Sequence, residues 1–295
     1  MAKMISDLLG LRPIKGQYGI EVEAEFSEPT NYEEVHHLWY TTGDGSLRGF
    51  GVEFISPKPW DKETAKESYA FLLAQSFWQN YFRASPRAGI HVHCNVTSWS
   101  VDRVLRFLVA YYLVEEVMLH NCGEDRKGNL FCLRMNDADS VLDAVQDLID
   151  HKLGDLRRNF NTYKYAALNI ASIGKLGSVE FRALPSNGSI QEFSDWLDMI
   201  DNLSEYSKKE QSLEDVYREW NRDRAGFALE VLGKLPENCD LYELLDVNRS
   251  NAYRIITLYN SREERGKALM RKEKALYSFP SSERAVDVGE EIFEF

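Results

Sequence analysis

Eight side chains of the types that hold metal ions or phosphates stand at alternating positions within short apolar runs of this sequence. Glu21, Glu23 and Glu25 alternate with Ile20, Val22, Ala24 and Phe26 in QYGIEVEAEF. Glu53 lies in GVEFIS, His91 and His93 in GIHVHCNV, and Glu180 and Arg182 in GSVEFRALP. Period two is the signature of a strand, which sends successive side chains to opposite faces. An antiparallel sheet with its Ile, Val and Phe face on a core would gather the whole polar set on its other face. A wet sheet face is the common reason for such alternation, and any one of these strands fits it. The set fits it less well, because Glu is depleted in strands, exposed strand positions favour Thr, and like charges side by side repel. A divalent cation would relieve that repulsion. Mg²⁺ takes carboxylate oxygens and leaves positions for water and phosphate oxygens, and histidine extends the tolerance to Mn²⁺. Arg182, two residues after Glu180, suits a phosphoryl oxygen.

These residues need elements to position them. Apolar residues at Tyr69, Leu72, Leu73, Phe77 and Tyr81 predict one helix over 61–82. Ser100 caps a long helix to about residue 121, with Asp102 in the first turn where the helix dipole favours an acid. A shorter helix runs from Ser140 to Lys152, with Gly154 as its C′ residue. Residues 164–185 read as a hairpin around Gly174 and Gly177, and residues 190–209 return to helix. Everything after about 205 reads as helical. The pattern predicts an α+β fold, a mainly antiparallel sheet with helices on one face, organised as a strand-bearing unit over 1–205 and a helical C-terminal extension over 206–295.

The 295 residues are 44% hydrophobic and 28% charged, which is the composition of a folded chain rather than a disordered one. With 35 Lys+Arg against 47 Asp+Glu, the net charge of -12 argues against nucleic acid held by bulk attraction. Residues 205–295 account for -4 of it, so the strand-bearing part holds most of the acidity. Cys94, Cys122, Cys132 and Cys239 form no CxxC pair and read as reduced thiols, Cys94 and Cys132 as small buried hydrophobes. The longest apolar run, Phe107 to Val114, is far shorter than a membrane helix requires, and no signal peptide is evident, so a cytoplasmic protein without membrane contacts is expected. His36 and His37, beside Trp39 and Tyr40, read as packing or surface residues. The run REERGKALMRKEK at 262–274 reads as a solvated helix face.

The strings GIEVEAE (19–25), DGSL (44–47), GVEFISP (51–57), AGIHVH (88–93), RKGNLFC (126–132), ALN (167–169) and SVEFR (178–182) stand in an order and spacing that resembles the amidoligase family, kin of glutamine synthetase and glutamate-cysteine ligase. The resemblance covers about residues 17–205. It implies a glutamine synthetase-like catalytic domain, with a curved sheet, helices on one face and a metal and ATP site on the other. It implies metal ligation by Glu21, Glu23, Glu53, His91 and Glu180, and a phosphate-contacting Arg182. His93 is left between ligation and support of the site, and Glu25 between ligand and rim. Arg126, Lys127 and Asn129 fall in the family's nucleotide- or phosphate-facing loop, although a solvated loop is the plain alternative. Lys164 and Asn169 are weaker contacts of the same kind. Asp44 is either a turn residue or a contact or general base for an amine. The activity implied is ATP-dependent ligation of a small-molecule or peptide carboxylate to an amine with Mg²⁺ or Mn²⁺. A phosphotransferase on the same fold and a non-catalytic scaffold are the alternatives. The first strand begins near residue 17, which leaves open whether a neighbouring subunit of a homo-oligomer completes the site.

Overall fold

The structure, a computed structural model, describes residues 3–277 apart from 139 and 164; Lys164 therefore lies outside the described residues. After a first short helix, α1 (Ile5–Leu9), come strand β1 (Tyr18–Phe26), β2 (Tyr40–Thr42), β3 (Phe50–Ile55), helices α2 (Lys62–Leu73) and α3 (Ser76–Tyr81), β4 (Phe82–Arg83) and β5 (Gly89–Asn95). The long helix α4 (Val101–His120) leads to α5 (Val141–Ile149), α6 (Leu153–Arg158) and α7 (Phe160–Tyr163), then β6 (Leu168–Asn169), α8 (Ser172–Leu176), β7 (Ser178–Pro185) and α9 (Ile190–Tyr206). The remainder is helical: α10 (Leu213–Arg222), α11 (Arg224–Leu232), α12 (Leu241–Asp246) and α13 (Arg249–Tyr277).

The strands form one open antiparallel sheet in the order β2-β3-β1-β5-β7-β6, with β4 paired to the end of β1. This is the α+β architecture expected, and β1 is its central strand. Its register sets Glu23 opposite Glu53 and Glu21 opposite His91, while His93 pairs with Glu180 and Glu180 with Asn169. Between Ile90 and Val92 the register of β5 and β7 shifts, so that His91 faces an extra residue on β7. A bulge of this kind bends a strand and re-aims its side chains, and Arg182 sits within it.

The apolar face packs on helices. Phe181 of β7 meets Phe107 and Tyr111 of α4 and Trp196 of α9, with ring centroids 6.0, 5.6 and 6.2 Å apart. Helix α4 begins as expected, with the Ser100 hydroxyl accepting from Arg103 N. Residues Phe107–Leu119 are buried on every side because α10, α12 and α13 pack against α4 as well. A helix apolar all round requires such enclosure. Among the described residues no helix is long and apolar enough to cross a membrane.

Three local expectations are corrected. The single helix over 61–82 is two helices, because Gln75 takes an extended conformation; its side-chain amide donates to Phe71 O and that of Gln79 to Leu73 O, which satisfies the carbonyls at the end of α2. The break lets Leu72, Phe77 and Trp78 all reach the core. Gly154 does not terminate α5 but lies inside α6, and the positive φ there belongs to His151. The hairpin over 164–185 pairs through only two residues of its first arm, and α8 fills the connection. Gly174 is small there because α8 lies against α6: a Cβ would fall 2.6 Å from Leu153 O. Gly177 caps α8 with φ 71°.

Candidate metal and substrate site

The polar sheet face is a crowd of carboxylates and imidazoles within contact distance. His91 Nδ1 lies 3.3 Å from Glu21 Oε2 and 3.5 Å from Glu180 Oε1, and His91 Nε2 lies 3.5 Å from Glu23 Oε2. His93 Nε2 lies 3.1 Å from Glu21 Oε1 and 3.9 Å from Glu180 Oε1. Arg182 pairs with Glu180, whose other oxygen accepts from Asn169 Nδ2 at 2.7 Å. Two triads emerge in which each residue offers one ligand atom and the atoms lie within 4.8 Å of one another: Glu21, Glu53 and His91, and Glu21, His93 and Glu180. Glu21 belongs to both.

The electrostatics are those of an acid cluster short of cations. Burial pushes Glu53 up to about 8, and the Glu21, Glu23 and Asp44 carboxylates push it the same way. Burial also raises Glu23, against the pull of His91 and Arg182. Burial alone would raise Glu21, but His93 and His91 hold it well below the ordinary range. Burial likewise works against the charge of Glu180, yet Arg182, His93 and His91 keep it low. Burial would lower His93, yet Glu21 and Glu180 push it up to about 9. Protons and an imidazolium here do the neutralising that a divalent ion would do on displacing them.

The donor set fits such an ion. Carboxylate oxygens and imidazole nitrogens converge, and His93 Nε2 is buried and misaligned for a hydrogen bond to Glu21. Its ring is held from the far side by Nδ1 against Ser178 Oγ at 3.0 Å, the support that orients a ligating histidine. His93, left open between ligand and support, thus points a nitrogen into the second triad. Glu23, expected as a ligand, belongs to neither triad; its Oε2 accepts from Gly89 N at 2.8 Å and faces the His91 ring. Gly89 is small because a Cβ there would sit 2.8 Å from Arg126 Nη2 and 3.3 Å from His91 Nε2.

Other expected residues fall in two groups. Asp44 lines a cavity of about 170 Å³ together with Glu21, Glu23, Glu53, His91 and Arg182 and the rings of Phe131, Phe160 and Tyr165. Arg126 differs from its expected phosphate-facing role: it is only 4% exposed, and its guanidinium donates to Ala88 O at 2.8 Å, Leu184 O at 3.0 Å and Pro86 O at 3.4 Å. It ties the ends of β5 and β7, where the bulged ladder leaves carbonyls needing donors. Asn129 likewise donates to Pro86 O and receives Phe131 N, while Lys127 pairs with Glu124 at the surface. Asn169 holds Glu180 rather than pointing outward. Glu25 is a rim residue that accepts from Arg48 N. His36 contacts Thr41 and His37 lies edge-on to Phe71, both apart from the site, and burial pushes the Cys94 thiol up to about 12.

Ser178 escaped the sequence reading, although Ser178, Glu180 and Arg182 continue one period-two row. The rings of Phe131, Phe160 and Tyr165 carried no such signal, since none of them lies in an alternating strand. A second cavity, of about 260 Å³, also reaches Glu21 and His93 and is lined by Gly19, Ser56, Lys58 and Asn95, with apolar surface from Ile14 and Leu176.

No curated protein matches the chain. Residues 46–204, slightly more than half of the sequence, match the family described as "Putative amidoligase enzyme". The match contains Glu53, His91, His93, Glu180 and Arg182, while Glu21, Glu23 and Asp44 lie just ahead of it. The chain therefore belongs to this amidoligase family.

Proposed function

We propose that the protein is an ATP-dependent carboxylate-amine ligase on a glutamine synthetase-like catalytic unit spanning residues 1–205, with residues 206–295 as a helical extension. The observation that carries this reading is the pair of acid and histidine triads sharing Glu21, with Arg182 placed against Glu180. Glu21, Glu53 and His91 would hold one divalent ion, and Glu21, His93 and Glu180 another. Mg²⁺ or Mn²⁺ bound there would neutralise the phosphates and the charge that develops on the transferring group. In the reaction a carboxylate oxygen displaces ADP from the γ-phosphorus. The amine nitrogen then displaces phosphate from the carbonyl carbon and gives up its extra proton.

The chain's own residues serve these steps in distinct ways. Asn169 and Arg182 hold the Glu180 carboxylate from two sides, and Ser178 fixes the His93 ring. Arg182 also lines the cavity that contains Glu53 and Asp44, within reach of an oxygen on the transferring group. The second cavity, with Ile14 and Leu176 on its walls and His93 and Asn95 at its polar end, has the composition to take a nucleotide base with its phosphates toward Glu21.

The test is ADP release from ATP and Mg²⁺ with pooled carboxylates and amines. The reading predicts release that requires both, and its loss in Glu180→Ala. Release that needs one co-substrate and no amine would instead mark a phosphotransferase.

A further inference from the structure

The helical extension meets the segment between α4 and α5 through buried amides that its attachment does not require. Leu245, Ala252, Ile255 and Ile256 are buried, and α12 and α13 pack on α4, so apolar surface already holds the extension in place. Asn248, between those two helices, is 2% exposed. Its Nδ2 donates to Glu115 Oε2 at 2.7 Å, and Met135 N donates to the same oxygen at 3.2 Å. In the first turn of α13, Asn251 Nδ2 donates to Asn136 Oδ1 at 2.5 Å and lies 3.5 Å from Asn248 Oδ1. Two residues before Met135, Leu133 forms a parallel bridge with Ala166. Leu133 N donates to Tyr165 O at 2.7 Å, and Leu133 O accepts from Ala167 N at 2.7 Å. Ala167 O in turn accepts from Arg182 N at 2.9 Å, and Asn169 holds Glu180. Hydrogen bonds joined by short stretches of backbone therefore lead from Asn251 to Arg182 and Glu180.

We infer that Asn248 and Asn251 are positioning residues of the metal site. By fixing Met135 and Asn136 they set Leu133, and through it the stretch from Ala167 to Asn169 on which the placement of Arg182 and Glu180 depends. The inference rests on the ligase reading, in which Glu180 is a ligand. Buried amides at a joint that apolar packing already secures act on position, because a partner that shifts leaves them unpaired. The edge of the sheet is where such a setting is needed: β6 is its last strand and pairs with β7 through only two residues. The extension, although it lies beyond the matched residues 46–204, then belongs to the machinery that shapes the second triad.

The experiment compares the full wild-type chain with Asn251→Leu, Asn136→Leu and Asn136→Asp, the last of which keeps the oxygen that receives Asn251 Nδ2. Two readouts are taken: hydrogen exchange by mass spectrometry, and Mn²⁺ titration with ADP present, bound ion being counted by electron paramagnetic resonance. Both leucine variants should speed exchange about fivefold or more in peptides covering Leu133 and Ala167, while α4 stays as protected as in the wild type, which shows that they fold. In the same variants one of two Mn²⁺ ions should bind about three- to thirtyfold more weakly. The other should be unchanged, because Glu21, Glu53 and His91 lie on β1, β3 and β5, which this path does not reach. Asn136→Asp should match the wild type in both readouts. Unchanged exchange at Leu133 and Ala167 in Asn251→Leu overturns the proposal. Faster exchange with unchanged Mn²⁺ affinity marks a purely structural contact and also overturns it, as does an Asn136→Asp variant that loosens as far as Asn136→Leu. In each of these cases the wild type still binds two ions and the ligase reading stands. Wild-type protein that takes up no Mn²⁺ overturns both.

Discussion

Two regions of this molecule bury carboxylates, and they do it in opposite ways. On α4, Glu115 is fully enclosed, and its oxygens are satisfied one by one: Tyr111 Oη donates at 3.2 Å, Met135 N at 3.2 Å and Asn248 Nδ2 at 2.7 Å. Its neighbour Glu116 lies 3.1 Å from Arg134 Nε. On the sheet, Glu21, Glu23, Glu53 and Glu180 face each other and share two imidazoles and one guanidinium. Burial pushes both Glu115 and Glu53 up to about 8. The two acids differ in their neighbours: around Glu115 the backbone and Tyr111 donors oppose the effect of burial, whereas around Glu53 the adjacent carboxylates add to it. A buried acid surrounded by donors is a structural joint, and acids surrounded by acids need an added cation.

The largest effect that contrast predicts is at Glu21, the residue common to both triads. Glu21→Ala should lower amine-dependent ADP release by about 10³-fold, at the upper end for loss of a preorganised charge-stabilising group, whereas Glu116→Gln should leave it within about twofold. Next come the residues that hold Glu180 and His93, the ligands we propose. Asn169→Leu or Ser178→Ala should weaken metal binding by about 10- to 100-fold without unfolding the chain, read by calorimetry alongside circular dichroism.

Glu115 should answer in stability instead of activity. The folded chain keeps its proton to about pH 8, while the unfolded chain releases it near 4.5. The folded state therefore binds more protons between these values, and this group lowers stability as pH rises, by up to about 1.4 kcal/mol per pH unit. Glu115→Gln keeps an oxygen for Met135 N and Asn248 and an amide that can donate to the Tyr111 hydroxyl. Denaturant midpoints from pH 5 to pH 8 should fall less in the variant than in the wild type; parallel curves would refute the assignment. The smallest effect belongs to Glu25, the rim acid on the same strand, where Glu25→Gln should leave activity and metal affinity within about twofold.

The sheet was legible because its signal is local. Alternation in β1, β5 and β7 names which side chains share a face, and register then brings Glu21 to His91 and His93 to Glu180. What stayed hidden depends on tertiary contacts. Arg126 reads as a surface arginine in a charged loop, and only the Ala88 and Leu184 carbonyls at the ends of β5 and β7 draw it inward. Gly174 and Gly177 signal a turn, but whether that turn is a hairpin or a helix depends on how closely α6 approaches. The split between α2 and α3 rests on two glutamine side chains reaching back to α2 carbonyls, a choice that periodicity cannot register. Phe131, Phe160 and Tyr165, which line the same cavity as the acids, fall in no alternating strand, so periodicity does not single them out.

In the function we propose, one shared carboxylate, Glu21, organises two cation sites on the sheet face. Titrating Mn²⁺ into the full chain in the presence of ADP, with bound ion counted by electron paramagnetic resonance, tests it most directly. Two bound ions per chain are expected in the wild type, and loss of both on Glu21→Ala. Wild-type protein that takes up no Mn²⁺, or a Glu21→Ala variant that binds two ions with unchanged affinity, would contradict it.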